Sequence, residues 1–209
     1  MEQIILAIPY ILIILFSVVI HEVSHGLAAN AMGDDTAKIQ GRLTLNPISH
    51  LDFFGSLLLP ALTFFLGGFI FGYAKPVPYN PRNLNDRKYG PAKVALAGPL
   101  SNFTIAILFG LALRFIPGVL AGTAIPQLFI FIVWINIILA IFNLMPVPPL
   151  DGHWLVLTLV PDRFRQFKQM YLQYGLVLFF VFLFFVFPLI LPLVNLIFKV
   201  ITGAKVGLF

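Results

Sequence analysis

The sequence predicts an all-α polytopic membrane protein with a re-entrant segment and short membrane-associated β-strands. Two observations carry the class. The 209 residues are 60% hydrophobic and only 10% charged, with a mean hydropathy of +0.99; soluble domains run at roughly 45–50% apolar and about 25% charged, and a soluble fold has nowhere to bury the excess. Several apolar runs also have the length to cross a hydrocarbon layer about 30 Å thick, which takes about 20 residues of helix.

In the first run, 3–29, the stretch Ile4 to Ile20 has no basic n-region and no small-residue cleavage site and leads straight into a charged cluster, so it reads as a retained helix rather than a signal peptide. Residues 30–54 are polar. Within them Gly41-Arg-Leu-Thr-Leu-Asn-Pro47 alternates as a short strand does, and three prolines hold 75–81 extended, so each offers a backbone edge near the membrane. The stretch 55–74 contains Pro60, the Gly67-Gly68 pair and Gly72, which break or loosen a helix. It is either a further crossing or a re-entrant segment whose irregular backbone is shielded by protein. Runs 92–116 and 124–145 pair antiparallel through a Gly/Pro turn at 116–126, and 171–201, with Pro188 and Pro192, is a kinked helix. No gap between the runs holds a soluble domain, which leaves one membrane domain over 1–209 without internal repeats.

Thirteen Lys and Arg against eight Asp and Glu give a pI near 9.6. In such a chain the excess reports basic loops at the cytoplasmic leaflet, and nucleic-acid binding does not follow from it. Lys75, Arg82, Arg87, Lys88 and Lys93 crowd one loop and Arg163, Arg165 and Lys168 another, whereas Glu2 alone charges the start and no charge falls between Arg114 and Pro126. The first two loops are therefore expected in the cytoplasm. With these loops inside and the first helix running inward, 55–74 begins and ends on the cytoplasmic side, as a re-entrant segment does.

The chain has no cysteine, which excludes disulfides, thiolate metal sites and cysteine nucleophiles and leaves His, Asp and Glu to carry any chemistry. His21-Glu22-Val23-Ser24-His25 is an HExxH pattern at the cytoplasmic end of the first helix. Its two histidines lie one turn apart on one face, so both imidazoles reach one Zn²⁺, and Glu22 is placed to act as general base on the attacking water. Ionisable groups directly after an apolar run cost roughly 2.5–3.5 kcal/mol each for the charged types at membrane depth, a cost that implies function. A catalytic zinc takes three protein ligands. Among the acids Asp151 stands out, because the prolines of Asn143-Leu-Met-Pro-Val-Pro-Pro-Leu-Asp151-Gly152 end a membrane helix and lead extended backbone back toward the bilayer, with Gly152 leaving room for close approach. His50 and His153 are rival ligands. A metal-ion transporter or metal-binding membrane protein is the competing functional class, since intramembrane His and Asp also mark ion pathways; the absence of repeats and the placing of Glu22 between two ligands favour hydrolysis.

These residues resemble the site-2 protease family of intramembrane zinc metalloproteases, on HEVSHG at 21–26, AGPLSN at 97–102 and FNLMPVPPLDG at 142–152, with GRLTLNP at 41–47 and AKPVPYNPRNL at 74–84. The chain is similar in particular to the compact subgroup without PDZ or CBS domains. The resemblance implies a three-helix catalytic core with flanking helices and one zinc per chain, held by His21, His25 and Asp151 within the bilayer toward the cytosol. It implies an endopeptidase that cleaves transmembrane protein or peptide substrates in or near their membrane segments, as in regulated intramembrane proteolysis. By the same analogy Asn143 helps bind the scissile peptide or its oxyanion, as a carboxamide donor can. The expected mode of substrate binding is an unwound strand laid against an edge such as 41–47.

Overall fold

The structure, a computed structural model, describes residues 2–67, 72–115 and 123–203. Among the described residues four helices have the length and apolarity to cross a membrane: α1 (Glu2–Ala31), α4 (Gly90–Phe115), α5 (Ile125–Leu144) and the continuous span Gly175–Thr202. That span is built from α8 (Gly175–Val181), a π-helical turn at Phe182–Val186 and α9 (Phe187–Thr202). Shorter pieces connect them: α2 (Thr36–Ile39), α3 (Leu59–Gly67), α6 (His153–Leu159) and α7 (Arg165–Gln173). The expected turn at 116–126 falls mostly outside the described residues, as do positions 68–71 of the expected re-entrant stretch.

Cross-helix contacts fix the relative directions. Ser17 meets Asn102 and His25 meets Val94, so α1 and α4 run antiparallel. Asn102 meets Asn136 and Phe109 packs on Phe129, so α4 and α5 are also antiparallel. The end of α1, the start of α4 and the end of α5 therefore share one end of the bundle.

On α4 the buried positions Ala95, Gly98, Pro99, Asn102, Ala106, Gly110 and Leu113 recur every three or four residues. They form one stripe of mostly small side chains, the kind of surface that lets helices approach closely where no hydrophobic effect drives them together. Val133, Ile137 and Ile141 of α5 and Val194 and Phe198 of α9 close on that stripe. Many of the large apolar side chains left exposed, such as Leu6, Ile11, Leu108, Phe184 and Leu189, belong to the outward faces of the spans, where lipid is their solvent.

No β-strand occurs among the described residues, which corrects the expectation of short strands at 41–47 and 75–81. The reason is that side chains take the places of ladder partners. The Arg42 guanidinium donates to the carbonyls of Lys75 and Pro76 (3.0 and 3.4 Å), and the His50 ring bonds the Thr44 carbonyl through Nε2 (2.8 Å). Asn46 turns the chain into a 3₁₀ turn, Pro47–His50, by accepting from the Ile48 N–H. A backbone bond, Lys75 N–H to the His50 carbonyl (2.9 Å), joins the start of the second segment to the 3₁₀ turn that follows the first.

Residues 53–67 are helical, a π-helical turn at Phe53–Leu58 leading into α3. Tyr73 N–H donates to the Gly55 carbonyl at 2.9 Å and the Ser56 hydroxyl to the Tyr73 carbonyl at 2.9 Å, so positions 55 and 73 lie side by side. Fully buried Asp34 ties the loop after α1 to the approach to α4, accepting from the backbone N–H groups of Thr36 and Asn80 and from the side chains of Thr36 and Asn83. Burial pushes its carboxyl pKa up, but these four donors outweigh burial and hold it below the usual range. Asp34 thereby fixes where residues 75–80 pass over the end of α1.

Candidate active site

His21 and His25 sit one turn apart on α1, both buried, with their ring centroids 4.7 Å apart. Asp151 arrives from the loop after α5. That loop closes on itself through the Gly152 N–H and the Asn143 carbonyl (2.7 Å), and it turns so tightly that a Cβ at Gly152 would overlap the carbonyls of Leu144 and Met145. The turn brings Asp151 Oδ2 to 3.0 Å from His21 Nε2 and 3.2 Å from His25 Nε2, while the two Nε2 atoms stand 3.1 Å apart. One potential ligand atom from each of the three residues thus lies within 4.8 Å of the others.

The donor set fits a metal ion. His25 Nδ1 lies 2.7 Å from the Val94 carbonyl, which can only accept, and His21 Nδ1 lies 2.6 Å from Asn102 Oδ1. Each Nδ1 therefore carries the proton, and in the neutral rings both Nε2 lone pairs converge on the same carboxylate oxygen. Three acceptors with no proton among them repel unless a cation lies between them. Gly98 supplies the space: a Cβ there would stand 2.6 Å from His21 Nε2 and closer still to His25 Nε2.

The same three residues line a cavity of about 260 Å³ with Glu22, Pro76, Val77, Tyr79, Val94, Ala95, Asn143, Pro149 and Trp154. Glu22 is half-buried and its Oε2 accepts from the Val77 N–H at 2.9 Å, which orients the carboxylate. Asn143 donates to the Leu139 carbonyl of its own helix at 2.9 Å. The Tyr79 hydroxyl is buried without a hydrogen-bond partner; burial first, and the Asp151 charge second, push its pKa up to about 12, so it stays a donor at neutral pH.

Neither rival histidine joins the cluster. His50 is buried against the Thr44 carbonyl, and His153 holds the Leu150 carbonyl at 2.7 Å beside Trp154. The sequence reading assigned no role to Gly98, Val77, Tyr79, Trp154 or the polar trio Ser17, Asn102 and Asn136. The trio left a readable signal, uncharged polar residues inside three apolar runs; the others did not, because a glycine or a backbone N–H announces nothing until its neighbour is known.

Residues 118–187 match the sequence profile of "Peptidase family M50". The chain is 41% identical over 188 residues to "Putative zinc metalloprotease YwhC" of Bacillus subtilis, a match that covers 87% of this chain and 82% of that one. It is 31% identical over 140 residues to "Putative zinc metalloprotease Rip2" of Mycolicibacterium smegmatis, where the match covers 66% of this chain and 52% of the longer relative. A shorter match, 48% identical over 61 residues, joins it to "Putative zinc metalloprotease MJ0611" of Methanocaldococcus jannaschii and covers 29% of this chain and 30% of that one. No solved structure matches the chain.

Proposed function

The chain belongs to peptidase family M50 and is a metalloendopeptidase of the membrane, and from that premise we propose that His21, His25 and Asp151 hold one zinc ion per chain and that Glu22 is its general base. The observation that carries this reading is the convergence of two imidazole Nε2 atoms and one carboxylate oxygen within 3.0–3.2 Å of one another. Zinc bound there supplies a Lewis acid that lowers the pKa of water and polarises a peptide carbonyl.

The chain's own residues do the rest. Glu22, held by the Val77 N–H, takes a proton from the attacking water and delivers it to the leaving amine. The Asn143 carboxamide faces the same cavity, where it donates to the scissile peptide or its developing oxyanion. A cavity of about 260 Å³ accommodates a peptide group and its flanking side chains; a helix about 10–12 Å across is too wide for it. A membrane-spanning substrate segment therefore unwinds before cleavage. Treatment of the detergent-purified protein with a strong chelator is expected to abolish cleavage of a transmembrane test peptide, and zinc to restore it; cleavage indifferent to chelation would remove the metal from the mechanism.

In this reading the site faces the cytoplasm. The end of α1 and the start of α4 lie together, and Lys75, Arg82, Arg87, Lys88 and Lys93 crowd the connection between them, which is where the charge rule puts cytoplasmic loops. A connection that leaves and returns at one end also makes 55–74 re-entrant, in keeping with the bonds between positions 55, 56 and 73. Because the chain has no native cysteine, single-cysteine variants test this directly. A membrane-impermeant maleimide added to intact cells should label Thr123→Cys, and should label Arg87→Cys only after permeabilisation; the reverse pattern refutes the orientation.

A further inference from the structure

Three polar side chains meet inside the bundle, and of these only Asn102 has entered the site so far, through its contact with His21. Ser17 of α1, Asn102 of α4 and Asn136 of α5 are 4%, 0% and 0% exposed, each within a membrane-spanning helix. Interhelical hydrogen bonds in a bilayer contribute only modestly to stability, so stability alone is a small return for burying two carboxamides and a hydroxyl. Their bonds form a chain with one possible direction. Asn136 contacts the Ile132 carbonyl at 2.9 Å, and because a carbonyl only accepts, the group there is Nδ2, which also donates to Ser17 Oγ at 2.9 Å. That leaves Asn136 Oδ1 facing Asn102 at 2.7 Å, so Asn102 presents its Nδ2, which also reaches the Ser17 carbonyl at 3.3 Å. Asn102 Oδ1 is then left to face His21 Nδ1 at 2.6 Å.

Resting on the metal-site reading above, we infer that Asn102 is a positioning residue, locked by Asn136 and Ser17, that holds the His21 proton on Nδ1 and so presents the Nε2 lone pair to the metal. The opposite tautomer would set the Nδ1 lone pair against Asn102 Oδ1 at 2.6 Å and put a proton where the ligand atom must be bare. His25 reaches the same state by a different device, the Val94 carbonyl, which no side-chain substitution removes. The two ligands therefore differ in vulnerability: one is set by backbone, the other by a side chain anchored at its far end to the backbone carbonyls of α1 and α5.

The test uses the full-length protein in detergent, with zinc and cobalt as probes. In metal-free wild type, ¹⁵N signals of the histidine rings should show His21 protonated at Nδ1. Asn102→Leu, which keeps the volume and removes the acceptor, should bind zinc about 10–100-fold more weakly in chelator competition, as loss of an outer-shell partner does, and its His21 should become a mixture of tautomers. Asn102→Asp, in its protonated form, donates a hydroxyl to Asn136 Oδ1 in place of Nδ2 and keeps an accepting oxygen toward His21, so it should restore both the Nδ1 tautomer and most of the affinity. A His21 ring protonated at Nε2 in metal-free wild type overturns the inference without any variant, so a variant that fails to fold does not shield it. Equal zinc affinity and an unchanged cobalt spectrum in folded Asn102→Leu overturn it as well. Wild type that binds neither metal but shows the Nδ1 tautomer would instead overturn the metal-site reading while leaving Asn102 as the group that sets the His21 tautomer.

Discussion

Glu22→Gln is expected to abolish cleavage while leaving the metal bound. Glutamine matches glutamate in size and can still accept the Val77 N–H through its amide oxygen, so the position of the side chain survives. What it loses is the ability to take up a proton, a contribution of roughly 10²–10⁴-fold for a positioned general base. The expected result is a fall in kcat of about that size for a transmembrane test peptide, with zinc content equal to wild type. Retention of full activity would show that Glu22 is not the base; loss of zinc together with activity would show that it belongs to the ligand set.

Gly98→Ala is expected to empty the site without unfolding the bundle. The added methyl group would stand 2.6 Å from His21 Nε2 and against His25 Nε2, in the space the two imidazoles face. Zinc affinity should fall by at least the roughly 10–100-fold that the loss of an outer-shell partner costs, and activity with it. Overpacking costs about 1–3 kcal/mol, so thermal unfolding in detergent should shift but remain cooperative. Gly110→Ala is the matched control: a Cβ there meets Ile201 and Thr202 of α9, well away from the histidines, and should strain packing while leaving zinc binding intact. Normal zinc binding by Gly98→Ala would mean that the imidazoles are not arranged as described.

Composition and run length were enough to read the membrane class, because a bilayer leaves helices and closed barrels as the available spanning structures. His21 and His25 could be read as partners because one helix turn fixes their spacing, and Asp151 because the prolines around it give a carboxylate a way back to the bundle. Residues 41–47 misled, since alternation reports which faces a chain shows and not whether a partner strand exists; Arg42 and His50 satisfied carbonyls that a ladder would have used. Gly98 stood in a quoted motif, yet its meaning is a distance to residues 73 and 77 positions earlier in the chain, and no local pattern encodes that distance. Ser17, Asn102 and Asn136 were visible as polar residues in apolar runs, but which of them met, and in what hydrogen-bond direction, depended on the antiparallel packing of three helices.

The measurement that bears most directly on the central claim is the zinc content of purified wild type beside that of Asp151→Ala. The account predicts one zinc per chain in wild type. It predicts a large fall in Asp151→Ala, because two imidazoles alone leave a hydrolytic zinc site short of its third protein ligand. Zinc bound equally by both proteins, or absent from wild type, would contradict it.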